Sequence, residues 1–255
     1  MSATRQVYQI DRCREPPYTR TMYAPSEDSI RRLLPTIDYS NALTVDSTVQ
    51  DVIDACAVGR RYGFRAVVAF PCYLDIMVQE LADSDVMAQL VVGFPSGAAT
   101  TPAKCFEVEE GIRKGANDFD MVMNIGALKA KDYARVLDDI QQVRGLVAAA
   151  NSPLKVIIEV GLLSDDEIVT ASTIAAEAGA THVKTCTGFA PGRATLRNIR
   201  LIREAVGDRV QIKASGGVAS IEDGCAFLDA GAGVIAARGW LVSQLEAQGY
   251  KPVVV

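Results

Sequence analysis

At 255 residues, with 49% hydrophobic and 22% charged residues, the chain is long enough for one α/β barrel and can bury a large core. A net charge of −5 and a pI near 5.1 exclude the basic footprint of a nucleic-acid binder. No apolar run approaches the roughly 18 residues of a membrane span, so neither nucleic acid nor membrane is expected as a partner.

Residues 1–30 come first. Met1 to Tyr8 carries no apolar signal-peptide region, and Arg14-Glu-Pro-Pro-Tyr18 breaks any helix. The segment reads as an extension lying over a barrel end or a subunit neighbour, with a disordered tail as the competing reading. Ser26 to Leu34 has the look of a short capped helix, and residues 31–255 read as a single domain.

From there one unit repeats. An apolar run of four to seven residues ends in polar or Gly-rich positions, and an amphipathic helical stretch follows. The runs are Thr36–Ser40, Ala66–Phe70, Gln89–Phe94, Phe119–Asn124, Lys155–Val160, His182–Thr187, Val210–Ser215 and Val234–Arg238. Helical spacing shows in Val49, Val52, Ile53 and Cys56, and in Ile168, Ala171, Ile174 and Ala175. Asp46-Ser-Thr48 and Ser164-Asp-Asp-Glu167 supply N-caps, while Gly63, Gly115, Gly179 and Gly231 stand where helix C-caps are needed. Eight alternations of strand and helix predict a parallel sheet closed into a (β/α)8 TIM barrel. An open doubly wound sheet would bring a Gly-rich nucleotide turn after the first strand, where this chain has Asp38-Tyr-Ser-Asn41.

Six cysteines, at 13, 56, 72, 105, 186 and 225, form no C-x-x-C pair and read as reduced thiols of a cytoplasmic protein. His182 is the sole histidine, so the sequence offers no ligand set for a transition metal. The chemistry points elsewhere. Asp120, Lys184 and Lys213 lie within the fourth, sixth and seventh runs, and barrel strands converge on one shared mouth. Burial, or a second ammonium nearby, lowers a lysine's pKa and frees the neutral amine that attacks a carbonyl. One such lysine alone would more simply extend its tip to solvent. Two of them with a carboxylate favour amine chemistry.

Several stretches are then recognisable: Val91-Val-Gly-Phe-Pro-Ser-Gly97, Asp118-Phe-Asp-Met-Val-Met-Asn-Ile-Gly-Ala-Leu-Lys129, Leu154-Lys-Val-Ile-Ile-Glu-Val-Gly-Leu-Leu163, Val183-Lys-Thr-Cys-Thr-Gly-Phe-Ala-Pro-Gly192 and Lys213-Ala-Ser-Gly-Gly-Val218. In order and spacing, over about residues 36–239, the chain resembles deoxyribose-phosphate aldolase, a class I aldolase of the TIM-barrel type. The resemblance implies that Lys184 forms a Schiff base with the carbonyl substrate, Lys213 tunes it and Asp120 moves protons through an ordered water. It implies no cofactor beyond that covalent Schiff base, a small aldehyde or sugar-phosphate substrate, and a homodimer. Asp38, Thr187, Gly188, Gly216, Gly217 and Gly239 are the substrate-binding positions expected from it, and Arg238, which the family does not share, is expected to join them.

The chain departs from the family in places. Ile37-Asp-Tyr-Ser40 keeps an aspartate and a hydroxyl of an early motif but not its histidine, and Val68 stands where a cysteine is common. Cys72 is expected to pack, as is His182, and Trp240 to cap the eighth strand or join the core. Lys155 and Glu159 are expected to line the mouth or to form an internal ion pair. The chain ends Lys251-Pro-Val-Val-Val255 without the terminal tyrosine of some members, and Tyr250 does not align with it. At the anion end, Gly188, Gly216 and Gly217 remain, but Ile235-Ala-Ala-Arg-Gly-Trp240 replaces a Gly-Thr-Ser-Ser run, Ala219 replaces an arginine, and Arg193 and Arg238 are new. Arg238 is read three ways: holding a phosphate bidentately, recognising a carboxylate, or pointing to solvent. The expected reaction is reversible cleavage of 2-deoxyribose 5-phosphate to glyceraldehyde 3-phosphate and acetaldehyde. The rivals are a Schiff-base lyase for a non-phosphorylated or carboxylated carbonyl compound, and a barrel that binds a sugar phosphate without turnover.

Overall fold

Each apolar run forms a strand, and the chain returns over the outside as helix. The structure, a computed structural model, describes residues 25–252. Its elements are α1 (Glu27–Leu33), β1 (Ile37–Tyr39), α2 (Val49–Tyr62), β2 (Ala66–Ala69), α3 (Leu74–Glu80), β3 (Met87–Val92), α4 (Thr101–Lys114), β4 (Asp118–Val122) and α5 (Ile125–Lys129). There follow α6 (Tyr133–Ala149), β5 (Leu154–Ile157), α7 (Asp165–Glu177), β6 (His182–Lys184), α8 (Leu196–Val206), β7 (Gln211–Ala214), α9 (Ile221–Asp229), β8 (Val234–Ala237) and α10 (Gly239–Ala247). The strands pair in sequence order, all parallel, and β8 closes on β1. The fold is the expected (β/α)8 barrel.

Local chemistry sets the helix ends. Thr48 and Ser164 form capping boxes with Asp51 and Glu167, satisfying donors that open α2 and α7. Gly63 closes α2 in the left-handed region at φ 62°. The expected N-terminal extension lies mostly outside the described residues, and residue 30 falls within α1. That helix buries Ile30 and Leu33 in the main core, with Leu33 so close to α9 that a Cβ on Gly224 would meet it at 2.9 Å.

Strand alternation separates two cores. Outward residues such as Val67, Leu90, Phe119, Val156, Val183 and Ile212 pack beneath the helices. Inside the barrel, Leu43, Val68 and Val91 make a small apolar group with Phe70 and Phe94. The rest of the interior is largely polar: Asp38, Gln89, Asp118, Asp120, Lys155, Lys184 and Lys213 are all buried.

Several strands stop short of their apolar runs. β6 ends at Lys184 rather than Thr187, and β5 at Ile157 rather than Val160. Glu159 takes a left-handed conformation at φ 54° and leads into a 3-10 turn, so the chain bends away there to build the mouth. Cys72 is a correction: it is exposed, because the turn Pro71–Tyr73 sends Leu74 rather than Cys72 into the core. No helix among the described residues is long and apolar enough to cross a membrane.

Candidate active site

Register brings the two lysines together. Lys184 and Lys213 are directly paired across β6 and β7, and both face inward. Asp120, in the middle of β4, reaches across to both: Lys184 Nζ donates to its Oδ2 at 2.7 Å, and Lys213 Nζ to the same oxygen at 2.8 Å. Gln89 on β3 bridges from the side, donating to Asp120 Oδ1 and accepting from Lys213 Nζ at 3.2 Å. Asp38, from β1, places Oδ2 2.6 Å from Lys213 Nζ.

Beneath this layer lies a second one. Lys155 binds Asp118 and stands 3.3 Å from Asp120 Oδ1. Arg65, just ahead of β2, donates from Nη1 to Asp38 Oδ1 at 2.6 Å and Asp118 Oδ2 at 2.8 Å. Lys155 therefore resolves as an internal ion-pair residue, paired with aspartates and not with Glu159. His182 faces the same interior, with its Nδ1 2.9 Å from Thr181 Oγ1.

Proton affinities follow from this crowding. Burial drives the Lys184 ammonium down to about 8, with Lys213 adding to the effect and Asp120 opposing it. For Lys213, burial is outweighed by Asp120 and Asp38, and its pKa rises above the ordinary lysine value. Asp120 also resists burial: Lys184, Lys213 and Lys155 hold its carboxyl well below the usual range. Burial, reinforced by Lys155 and Arg65, lowers His182 to about 3, so its ring is neutral at working pH. The arrangement thus offers an amine that loses its proton near neutrality, beside a carboxylate that stays ionised.

Above the lysines a cavity of about 340 Å³ is lined by Ser40, Thr187, Gly188, Gly192, Arg193, Ser215, Gly216, Gly217, Arg238 and Trp240, among others. Gly188, Gly216 and Gly217 line it with φ of 85°, 74° and 90°, left-handed conformations that glycine adopts without penalty. The Arg238 guanidinium lies 3.7 Å from where a Gly188 Cβ would be, and the Arg193 stem rests against Gly217. The amide of Gly239 is not free, since it donates to Asn41 Oδ1 at 2.9 Å. Thr187 donates from both amide and hydroxyl to the buried Glu159 carboxylate, and its Oγ1 in turn accepts from Phe189 N at 3.0 Å. Across the mouth, Phe70, Phe94 and Phe189 form an edge-to-face trio. Tyr250 sits away from all this, in a cleft with Pro25 and Ile30 beyond the far end of α10.

Arg65, Gln89 and Asn41 were given no role by the sequence, and Asp118 none beyond its motif. For Asp118 the signal was present, because it stands two residues before Asp120 on the same strand face. Arg65 precedes its strand, where no period marks it as inward. Among the described residues, no group of three or more His, Cys, Asp or Glu side chains is placed to hold a metal ion.

Residues 36–241 match the model of the DeoC/LacD family aldolases. A deoxyribose-phosphate aldolase of Caldanaerobacter subterraneus subsp. tengcongensis is 39% identical over 226 residues, 88% of this chain and 97% of its own. One of Staphylococcus haemolyticus is 46% identical over 191 residues, 74% and 86% of the two chains. Among solved structures, a putative deoxyribose-phosphate aldolase from Coccidioides immitis superposes with a TM-score of 0.78 at 35% identity, covering 84% of each chain.

Proposed function

The chain belongs to the DeoC/LacD aldolase family and is a carbon–carbon lyase, and from that premise we propose that it cleaves 2-deoxyribose 5-phosphate reversibly through a Schiff base on Lys184. The observation that carries the mechanism is the single oxygen of Asp120 shared by Lys184 and Lys213, at 2.7 and 2.8 Å.

With its proton affinity near 8, Lys184 supplies the neutral amine that adds to the C1 carbonyl of the open-chain sugar. The carbinolamine loses water to give an iminium, which accepts the electrons of the C2–C3 bond. As that bond breaks, the C3 hydroxyl proton passes to Asp120 through an ordered water, and C3 becomes the aldehyde of glyceraldehyde 3-phosphate. The enamine left on Lys184 is protonated at carbon, and hydrolysis releases acetaldehyde and the free lysine. Lys213 stays charged throughout and disfavours the ammonium form of its neighbour. No cofactor enters these steps.

At the other end, the phosphate lies against the turns at Thr187-Gly188 and Gly216-Gly217, with Arg238 taking it from the β8 side. Asp38 supports Lys213 and the sugar hydroxyls from β1. The relatives' shared name gives no support to the rival of a non-phosphorylated or carboxylated substrate. The reading extends to a cytoplasmic homodimer, a mass that sedimentation measures directly.

Borohydride trapping with acetaldehyde, followed by intact mass and peptide mapping, tests the nucleophile: one two-carbon adduct is expected on Lys184 and none in Lys184→Ala. An undiminished adduct in the variant sinks the assignment. Cleavage of 2-deoxyribose 5-phosphate against 2-deoxyribose tests the substrate, and equal kcat/KM for the two would remove the phosphate from the reading.

A further inference from the structure

We infer that Arg65, which lines no part of the substrate cavity, is a positioning residue that decides how readily Lys184 gives up its proton. The inference rests on Lys184 being the nucleophile. Its basis is a count of charges in a buried space. From the foot of β2 the Arg65 guanidinium donates to Asp38 at 2.6 Å and Asp118 at 2.8 Å. Lys155 binds Asp118 from above and lies 3.3 Å from Asp120 and 3.7 Å from Asp38. Lys213 meets Asp38 at 2.6 Å and Asp120 at 2.8 Å. Three carboxylates are therefore already matched by three cations before Lys184 is counted.

Lys184 is the fourth cation around three acids. Of the three lysines it is also the most exposed, at 3% against 1% for Lys213 and 0% for Lys155. An unmatched buried charge of either sign is costly. Loss of one proton from Lys184 brings the barrel interior to balance. Without Arg65 the tally becomes three against three, and the ammonium form of Lys184 is then held as a counter-ion. Among the described residues no other charged side chain forms an ion pair with these seven. Gln89 on β3 is neutral, and His182 on β6 is lowered to about 3 by burial, Lys155 and Arg65. Glu159, beyond β5, is bound by the amide and hydroxyl of Thr187 and forms no ion pair with these cations. β8 contributes only Val234 and Ala236 to the inner face.

Arg65 and Asp118 are bonded neighbours of opposite sign on the floor of the barrel, so their variants separate charge from packing. Trapping rates with acetaldehyde and borohydride would be followed from about pH 5 to about pH 10. Wild type, Arg65→Met, Arg65→Lys, Asp118→Asn and Arg65→Met/Asp118→Asn would be compared, after mapping the adduct in wild type. An adduct away from Lys184 overturns the nucleophile and not the charge count. With the adduct on Lys184, Arg65→Met is expected to move the acid limb up by about one pH unit, as befits one charge lost at an effective dielectric of about 20, with the plateau retained. Arg65→Lys should leave the limb in place, Asp118→Asn should move it down, and the double variant should bring it back. An unmoved limb with a fallen plateau in Arg65→Met makes the residue merely structural and overturns the inference. Should Arg65→Met fail to fold, Asp118→Asn decides, since an unmoved or raised limb there is fatal to the count.

Discussion

The lysine centre and the anion end share the mouths of β6 and β7, yet they are built in opposite ways. In the centre the lysines and aspartates are buried, Arg65 is partly so, and each charge faces a partner: Asp120 binds two ammonium groups, and Asp38 and Asp118 share Arg65. At the anion end Arg193 and Arg238 are exposed, and neither has a carboxylate partner among the described residues. The difference teaches where each kind of change should register. A charge removed from the centre shifts proton affinities and the chemical step, because low-dielectric coupling is strong there. A charge removed from the rim is expected to change how long the proposed phosphate is held, with salt competing against it.

The comparison is tested most severely by Asp120→Asn. The amide keeps the shape but cannot take the C3 hydroxyl proton, and the interior loses one acid while keeping its cations. Cleavage of 2-deoxyribose 5-phosphate should fall by about 10²–10⁴-fold in kcat, the span of general-base contributions. Adduct formation on Lys184 should persist, since a greater cation surplus favours the neutral amine. Steady-state kinetics and trapping on the same preparation separate the two. Loss of both in parallel would mean that Asp120 only holds the site in shape.

Smaller in size is the effect of pH on the intact protein. Lys184 is lowered to about 8, so the ammonium form dominates below that value and the reactive amine above it. Trapping should therefore rise about tenfold per pH unit up to the neighbourhood of pH 8 and then level off. His182 adds no inflection in this range, because its ring is neutral down to about 3. The rim behaves otherwise: Arg238→Ala should raise KM for 2-deoxyribose 5-phosphate by about tenfold, the worth of one charge-assisted contact, with kcat little changed. For 2-deoxyribose the same variant should be silent. Added salt should raise KM for the phosphate ester in wild type and less so in Arg238→Ala.

Much of this contrast was legible in the sequence, though unevenly. The barrel followed from eight apolar runs separated by helical spacing, and register then placed Lys184 against Lys213. Inward-pointing residues on strands carry their direction in the period of two, so Asp118, Asp120 and Lys155 were readable as one wall. Arg65 was not, since it precedes β2 and reaches its acids only through the length of its side chain. The strand ends were overextended for a related reason: Glu159 is polar in an apolar run and looks like strand, while its backbone is left-handed and its carboxylate accepts from Thr187 beyond the neighbouring strand. Contacts made between loops leave no periodicity behind. Asn41 on the Gly239 amide is another such contact.

The least effect is expected at Arg193, and it sharpens the picture of the rim. Its backbone is anchored, because the next amide, Ala194 N, donates to Gly216 O at 3.0 Å and its own Cβ rests on Gly217. Arg193→Ala should therefore leave the Gly216-Gly217 turn in place and remove only an exposed guanidinium, costing about threefold in KM for the phosphate ester. A change that small is informative when combined with Arg238→Ala. If both arginines hold one phosphate, the loss in the double variant departs from the product of the single losses, because each contact positions the anion for the other. If the losses multiply, Arg193 acts through the general field of the rim, and Arg238 alone grips the anion.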